Sequence, residues 1–314
     1  MSALTTAFQG LLSLLAGLAA LFLAFVDFPQ HDYLLVGTRI REYVLHVPKT
    51  LDPEVPTSLV IALHQFSDTG RRMQALTGFD SIADREGFIV AYPDGILVSW
   101  NSDIDGVTGG VKFVDDERFI VGLVKRLQER YNIDPDRIYL TGASNGGMMA
   151  QLMGCRHSDV FAAIAPVMGS FEKINADGCA PDRPLSVLLI HGTEDPIVPY
   201  EGGLREGPRS PLYLSAASNA ARWADYGDCS GDPVTTLVPP VEGQTGPILL
   251  TRYPGCEPGI EVALCTVTGG GHTWPGSTGN YSEDLVGPTS YALNASEYIW
   301  AFFKTHPRGR NDEL

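Results

Sequence analysis

The sequence has 314 residues, of which 44% are hydrophobic, a share that is typical of a folded globular protein and excludes large-scale disorder. Asp and Glu outnumber Lys and Arg by 37 to 22, which gives a formal net charge of −15. Because nucleic acids are bound by basic surfaces, we expect no nucleic-acid partner.

The N-terminal region differs from the rest of the chain. Residues Leu11 to Val26 are almost wholly apolar, and no charge occurs between Ser2 and Val26. This pattern predicts a signal peptide over residues 1–29 and export of the remaining chain. The alternative is an uncleaved membrane anchor, although the run is shorter than the roughly 20 residues that span a bilayer comfortably. If the signal is cleaved, we expect no stable membrane partner.

Beyond residue 30, short apolar segments alternate with longer amphipathic ones. The pattern predicts strands at Arg39–Val47, Ser58–Leu63, Phe88–Tyr92, Arg137–Thr141, Leu185–Ile190 and Glu261–Val267. It predicts helices at Phe79–Arg85, Asp115–Tyr131, Gly146–Arg156, Leu212–Tyr226 and Ala295–Phe303. This alternation indicates an α/β fold with a mainly parallel sheet and helices on both faces. We expect one domain over residues 30–306, with 230–246 as a surface excursion and 307–314 as a flexible tail.

A G-x-S-x-G motif lies between one predicted strand and the next predicted helix. The strand Arg137–Thr141 runs directly into Gly142, and Ser144 stands at the centre of the motif. A serine hydroxyl is a poor nucleophile unless a sharp turn holds it where a base can reach it. Gly142 and Gly146 lack the β-carbons that would collide in such a turn. The motif predicts an α/β-hydrolase fold with Ser144 as the nucleophile.

An acid and then a histidine should follow the serine, each on a loop after a later strand. The strand Leu185–Ile190 leads to Asp195, which we predict to be the acid, with Glu194 as its competitor. The last strand leads through three glycines to His272, which we predict to be the base on a flexible arm.

The remaining histidines are poorer candidates for the base. His64 and His191 also end strands, but both precede the acid in the chain and are expected to form hydrogen bonds within loops.

The two oxyanion donors should be backbone N–H groups beside the nucleophile and after the strand Ser58–Leu63. We assign them to Asn145 and Phe66, with Gln65 as the close alternative to Phe66. Trp100 and Trp274 lie on loops near the same edge of the sheet, where exposed indole rings would stack on the substrate. The alternative for both tryptophans is ordinary packing in the core.

Five cysteines suit an exported protein with disulfides and one thiol left over. Cys229 and Cys256 lie beside turn residues and suit a link between two loops, and Cys155 with Cys179 is the second candidate pair. Cys265 lies in an apolar strand and is expected to be a buried free thiol. Spacing alone leaves the connectivity open.

The sequence predicts neither a metal nor a cofactor. It contains no H-E-x-x-H motif and no paired Cys-x-x-Cys spacing. It also lacks a G-x-G-x-x-G or P-loop pattern after a strand, so we expect no dinucleotide or nucleotide. The last residues, Asp312-Glu313-Leu314, are similar to an endoplasmic-reticulum retention signal. Secretion is therefore the main expectation, and retention in the endoplasmic-reticulum lumen is the alternative.

Three separated segments together resemble the poly(3-hydroxybutyrate) depolymerase-like and feruloyl esterase family, which belongs with the family-1 carbohydrate esterases. They are Gly142 to Met148, His191 to Tyr200 and Gly269 to Gly276, and the likeness extends from about Val36 to Phe303. The resemblance implies a secreted carboxylic-ester hydrolase. It implies the triad roles derived above, a substrate cleft lined by Trp274, and paired cysteines in exported members.

Two departures from the family pattern fall in the predicted oxyanion loop. This chain has Gln65 and Ser67 where the family usually or often has glycine, which predicts backbone strain if either φ is positive. The short C-terminal region favours dissolved hydroxyalkanoate oligomers or feruloyl and acetyl esters of polysaccharides as substrates. A serine peptidase of the same fold and a non-catalytic binding protein are the alternative functions.

Overall fold

The computed structural model describes residues 31–102, 114–204, 212–242, 244 and 246–309. The predicted signal peptide and the Asp-Glu-Leu terminus lie outside these residues. None of the described helices is long and apolar enough to cross a membrane.

The described strands form one large sheet and one small hairpin. The order in the large sheet is β1-β2-β4-β3-β5-β6-β7-β12-β11-β10, and β8 pairs with β9. The strands are β1 His31–Val36, β2 Arg39–His46, β3 Thr57–Leu63, β4 Ile89–Pro93, β5 Ile133–Ala143, β6 Ala163–Val167, β7 Ser186–Gly192, β8 Gly203–Leu204, β9 Leu212–Tyr213, β10 Val234–Val238, β11 Ile248–Tyr253 and β12 Val262–Val267.

The six central strands, from β4 to β12 in that order, are parallel to their neighbours. The edge strands β1 and β2 on one side, and β10 and β11 on the other, are joined antiparallel. The expectation of a mainly parallel sheet is therefore confirmed. Because parallel neighbours end at the same side, the loops after β3, β5, β7 and β12 share one edge of the sheet.

Helices cover both faces of the sheet. They are α1 Gly70–Thr77, α2 Phe79–Glu86, α3 Asp116–Arg130, α4 Asn145–Arg156, α5 Lys173–Asp177, α6 Ala216–Tyr226, α7 Glu283–Val286 and α8 Ala295–Phe303. Apolar side chains of α3, α4 and α6 pack in one core layer, and those of α1, α2 and α8 pack in the other. Alternate residues of β3 feed the two layers, as the strand periodicity requires.

The structure differs from the predicted elements in the second half of the chain. The helix predicted over Leu212–Tyr226 begins only at Ala216, because the Ser215 side chain accepts from Ser218 N–H and caps it. Residues Leu212–Tyr213 instead form β9. The expected surface excursion contains a strand, β10, whose β-branched residues pair with β11. Its side chains are mostly exposed, so the sequence of this segment has no apolar pattern from which a strand could be predicted.

Two disulfides are present among the described residues, and they join the cysteines of both candidate pairs. One joins Cys155 at the end of α4 to Cys179, and the other joins Cys229 to Cys256. Cys265 in β12 is free and buried, and burial raises the pKa of its thiol to about 12. This thiol is therefore protonated and inert at neutral pH.

The C-terminal helix α8 is held to the sheet by aromatic packing. The Phe303 ring is fully buried and stacks on Tyr139 of β5 with 4.7 Å between ring centroids. We expect Phe303→Ala to lower the free energy of unfolding by about 3–5 kcal/mol, because it removes a buried ring and leaves a cavity. Urea unfolding measures the change. Leu237→Ala, at a residue that is 72% exposed, is the control and should change stability by less than about 0.5 kcal/mol.

Candidate active site

Ser144 occupies a sharp turn between β5 and α4. Its backbone has φ 52° and ψ −115°, a conformation that is rare for a residue with a side chain. The turn is tight because a β-carbon on Gly142 would collide with the backbone of Gly146, and one on Gly146 would collide with the backbone of Leu63. Glycine is therefore required at both positions.

Ser144, His272 and Asp195 form one chain of hydrogen bonds. His272 Nε2 lies 2.8 Å from Ser144 Oγ, and His272 Nδ1 lies 2.7 Å from Asp195 Oδ2. An ionised carboxylate only accepts hydrogen bonds, so Nδ1 carries the proton that is donated to Asp195. Nε2 of the neutral ring is then free to accept the proton of the serine hydroxyl. The structure thus brings together three side chains that the sequence separates by up to 128 residues.

Both oxygens of the Asp195 carboxylate accept hydrogen bonds. Its Oδ1 atom accepts 2.8 Å hydrogen bonds from the backbone N–H groups of Ile197 and Val198. Burial would raise the pKa of Asp195, but the nearby His272 and His191 side chains outweigh it, and the pKa lies well below its ordinary value. Asp195 is therefore ionised at neutral pH. Its competitor Glu194 is exposed to solvent and lies outside this chain of hydrogen bonds.

The loop that carries His272 is anchored, which corrects the expectation of a flexible arm. His272 N–H donates to Val286 O, and Gly271 N–H donates to Pro288 O. A β-carbon on Gly271 would collide with the backbone of residues 286–287, just as one on Gly192 would collide with Gly270. The glycines in this loop permit close backbone packing, and this packing fixes the position of the imidazole.

His64 shapes the loop after β3, where the second oxyanion donor was predicted. Its Nε2 accepts from Gly95 N–H at 2.8 Å, so its Nδ1 carries the proton and donates to Gln65 O at 2.7 Å. Burial lowers the pKa of His64, which keeps the ring neutral. As expected from the sequence, the imidazole forms hydrogen bonds within loops and is not a base.

His191 also forms a hydrogen bond within a loop, as the sequence predicted. Its Nε2 lies 2.9 Å from Val198 O and 3.3 Å from Asp195 Oδ2. It therefore lies close to the same carboxylate oxygen that accepts from His272.

The side chain of Asn145 connects the turn at Ser144 to the loop after β4, a contact that the G-x-S-x-G motif does not predict. Its Oδ1 accepts from Trp100 N–H at 2.8 Å, and its Nδ2 donates to Trp100 O and to Ser102 Oγ. The presence of an amide directly after the nucleophile was the only sequence signal. The backbone N–H of Asn145, the first residue of α4, has no partner within the helix.

Trp100 and Trp274 were predicted to present exposed rings to substrate, and this prediction is wrong for the structure described. Both side chains are only 1% exposed. The Trp100 indole donates to His64 O, and the Trp274 indole donates to Ser296 Oγ. Because their polar N–H groups find partners inside the protein, both rings are stable in the core.

A buried ion pair supports the loop that contains Trp100. Arg41 of β2 donates to Asp116 Oδ1 at 2.6 Å, and the other carboxylate oxygen accepts from Asn101 N–H at 2.8 Å. The guanidinium also lies 4.0 Å over the Phe119 ring. The pair therefore holds the residue next to Trp100 in place, and through it the loop beside Asn145.

Backbone strain is concentrated around this edge of the sheet. Of the non-glycine residues with positive φ in the described chain, Ser67, Leu97, Val98, Ser144 and Met168 follow β3, β4, β5 and β6. Ser67, with φ 64°, bears out the strain foreseen for one of the two departures from glycine. Each such backbone conformation lowers the stability of the fold by about 1–3 kcal/mol. It persists only where the surrounding structure enforces it.

No group of three or more His, Cys, Asp or Glu side chains is arranged to hold a metal ion within the part of the chain that the structure describes. The chemistry that this arrangement can perform is nucleophilic attack by a serine that a neutral imidazole deprotonates.

The chain is similar in sequence to several known esterases. Residues 42–176 match the family model described as Esterase PHB depolymerase. Feruloyl esterase B of Piromyces equi is 30% identical over 240 residues, which are 74% of this chain and 42% of that relative. The chain thus corresponds to less than half the length of that protein. NocK of Nocardia uniformis subsp. tsuyamanensis, named as an esterase, is 29% identical over 277 residues, which cover 84% of this chain and 79% of NocK.

The fold agrees with a solved esterase structure. Acetyl xylan esterase from Aspergillus awamori superposes with a TM-score of 0.57 at 18% identity, covering 84% of this chain and 94% of that one. At this identity the likeness concerns the fold alone, and it confirms the predicted α/β-hydrolase architecture. The sequence matches show that the chain is similar to esterases of the polyhydroxybutyrate depolymerase-like and feruloyl esterase type.

Proposed function

We propose that the chain is a secreted serine esterase that works through an acyl-enzyme, with Ser144 as nucleophile, His272 as base and Asp195 as acid. The observation that carries this proposal is the continuous chain of hydrogen bonds from Asp195 Oδ2 through His272 to Ser144 Oγ, at 2.7 and 2.8 Å. Both distances lie within the range in which a proton can pass between the groups.

In the first step, Ser144 Oγ attacks the ester carbonyl while His272 Nε2 takes the hydroxyl proton. The imidazolium that forms is stabilised by the ionised Asp195 carboxylate. His272 then returns the proton to the leaving alcohol, and the acyl group remains on Ser144. In the second step, His272 takes a proton from water, which attacks the acyl-enzyme. The bond between the acyl carbon and Ser144 Oγ then breaks, Oγ takes the proton back from His272, and the acid is released.

The negative charge on the carbonyl oxygen needs donors that are already in place. We assign them to the backbone N–H of Asn145 at the start of α4 and to that of Phe66 in the loop shaped by His64. The positive end of α4 adds to the stabilisation at the same point. Removal of one such donor typically costs about 10²–10³ in rate.

The proposed substrates are hydroxyalkanoate oligomers or feruloyl and acetyl esters of polysaccharides. The names of the relatives support an ester with a feruloyl or acetyl group. Two disulfides support an exported protein, because such bonds form and persist in oxidising compartments. We assign residues 1–29 to a signal peptide, 30–306 to the catalytic domain and 307–314 to a tail.

The role of Ser144 can be tested directly. We expect Ser144→Ala to lower kcat on p-nitrophenyl acetate by at least about 10⁴, since no other nucleophile is aligned with His272 among the described residues. A fluorophosphonate probe should label the wild type and fail to label the variant. Ser230→Ala, at an exposed loop serine, is the control and should keep full activity and labelling. Full activity of Ser144→Ala would refute the proposal.

The same preparation separates an esterase from a peptidase. Matched ester and anilide substrates with the same acyl group should show hydrolysis of the ester at a rate far above that of the anilide. An equal or faster reaction with the anilide would favour the peptidase alternative.

Asp195→Asn tests the acid. An amide can present its NH₂ group to His272 and impose the wrong tautomer, so we expect kcat to fall by about 10⁴. Glu194→Gln, at the adjacent exposed carboxylate, is the matched control and should change kcat by less than about twofold. If the two variants lose activity equally, the assignment of the acid is wrong.

The lowered pKa of Asp195 also predicts a pH dependence of stability. A carboxyl whose pKa is lower in the folded state than its ordinary 3.8 stabilises the fold above that pH, and this contribution is lost as the pH falls through the folded value. Wild type should therefore be more stable than Asp195→Asn at pH 7, and the difference should narrow below about pH 4. Urea unfolding of both proteins at several pH values measures it. A gap that stays constant from pH 7 to pH 3 would contradict the ionised state.

A further inference from the structure

Three apolar side chains are exposed beside the proposed oxyanion loop. Phe66 is 47% exposed in the loop after β3, and Leu97 and Val98 are 74% and 39% exposed in the loop after β4. We call these three residues the apolar rim. Exposed apolar side chains that are grouped at a functional edge mark contact surfaces more often than isolated ones do.

The two loops of the apolar rim form one unit. Ser67 N–H donates to Val98 O at 2.9 Å, so the segments that carry Phe66 and Val98 run side by side. Gly95 N–H donates to His64 Nε2, and the Trp100 indole donates to His64 O. The loop after β4 is therefore bonded to the loop after β3 both before and after Leu97 and Val98. Phe66, Leu97 and Val98 are therefore presented from a shared and well-connected frame.

The apolar rim is also placed next to the nucleophile. The backbone of Leu63 and His64, just before Phe66, packs directly against Gly146 in the turn that carries Ser144. Trp100, two residues after Val98, is hydrogen-bonded to the side chain of Asn145. Both loops thus contact the residues that directly follow Ser144, which places the loops beside the turn that carries the nucleophile.

The backbone conformation of the rim is costly. Leu97 and Val98 have φ values of 52° and 55°, and Ser67 beside Phe66 has 64°. A β-branched residue such as valine rarely adopts a positive φ, and this conformation is the one that glycine or asparagine would adopt more readily. Strain of this kind is found at ligand-binding sites, where it is enforced by the surrounding structure.

We propose that Phe66, Leu97 and Val98 form the surface that receives the apolar, branched or aromatic part of the ester. This inference rests on the proposed serine esterase function and names what its site selects. Since Trp100 and Trp274 are buried, the apolar rim supplies the exposed apolar area that they were expected to supply. The side chains determine specificity, and the chemistry stays with Ser144 and His272.

The test uses one double variant and one single variant, each of which changes the exposed side chains and is chosen to keep the backbone conformation. Leu97→Asn with Val98→Asn replaces both apolar side chains by a polar one that tolerates positive φ. Phe66→Ser removes the ring and keeps the backbone N–H in its place. Leu237→Asn, at a residue of β10 that is 72% exposed, is the matched control far along the sheet from Ser144. Circular dichroism and thermal unfolding confirm that each full-length variant is folded.

Three methyl or acetyl esters separate the acyl side from the alcohol side. Methyl acetate is the reference, methyl cinnamate carries an aromatic acyl group, and benzyl acetate carries an aromatic alcohol. Values of kcat and KM are measured for each ester by titration of the released acid. We expect the rim variants to lower kcat/KM for one of the aromatic esters about tenfold more than for methyl acetate, as the loss of roughly 50 Å² of apolar contact implies. The control should leave both ratios unchanged.

The outcomes distinguish the two proposals. A selective loss with methyl cinnamate assigns the apolar rim to the acyl group, and a selective loss with benzyl acetate assigns it to the alcohol. If the variants hydrolyse all three esters with the wild-type ratios, or lose activity on all three equally, the rim does not select substrate and this inference is overturned. If the wild type cleaves none of the three esters, the proposed function fails and the inference fails with it.

Discussion

The parallel pairing of the central strands is the constraint on which the rest of the structure depends. Neighbouring strands lie about 4.8 Å apart, and the order β5-β6-β7-β12 places the strand that leads to His272 three spacings from the one that leads to Ser144. Asp195 follows the intervening strand next to β12. The strands that lead to the acid and to the base are therefore adjacent in the sheet. The loop after β12 must extend along the sheet edge towards β5 to bring the imidazole of His272 to Ser144. Close glycine packing in that loop makes the crossing possible.

The edge of the sheet that carries the site combines strained backbone with buried polar groups. The unusual backbone of Ser144 and the positive φ values after β3, β4 and β6 cost energy that the two core layers must offset. The same edge contains buried polar groups that are paired, among them His64, the Asn145 amide and the Arg41–Asp116 ion pair. Each of these groups forms a hydrogen bond to a backbone group of a loop. The loops of the site are thus tied together by hydrogen bonds.

The two tryptophans show how one residue type can serve either a surface or a core. Trp100 and Trp274 lie where a substrate platform was expected, but each indole N–H has an internal acceptor and each ring is enclosed. Their burial stabilises the loops on either side of Ser144. The exposed apolar area at the edge belongs to smaller and less conspicuous residues, whose importance is visible only in their exposure and backbone conformation.

Much of the site could be read from the sequence because its signals are local. The strand–turn–helix around Ser144 needs glycines at fixed offsets, and Asp195 and His272 each follow an apolar strand in the order that the fold requires. Other features depend on contacts between distant segments. The strand β6 contains alanine and proline and is buried on both faces, and the edge strand β10 is exposed, so neither has a periodic pattern. Tertiary structure alone decided those strands, the burial of the tryptophans and the anchored loop of His272, because each is set by packing partners that lie far away in the chain.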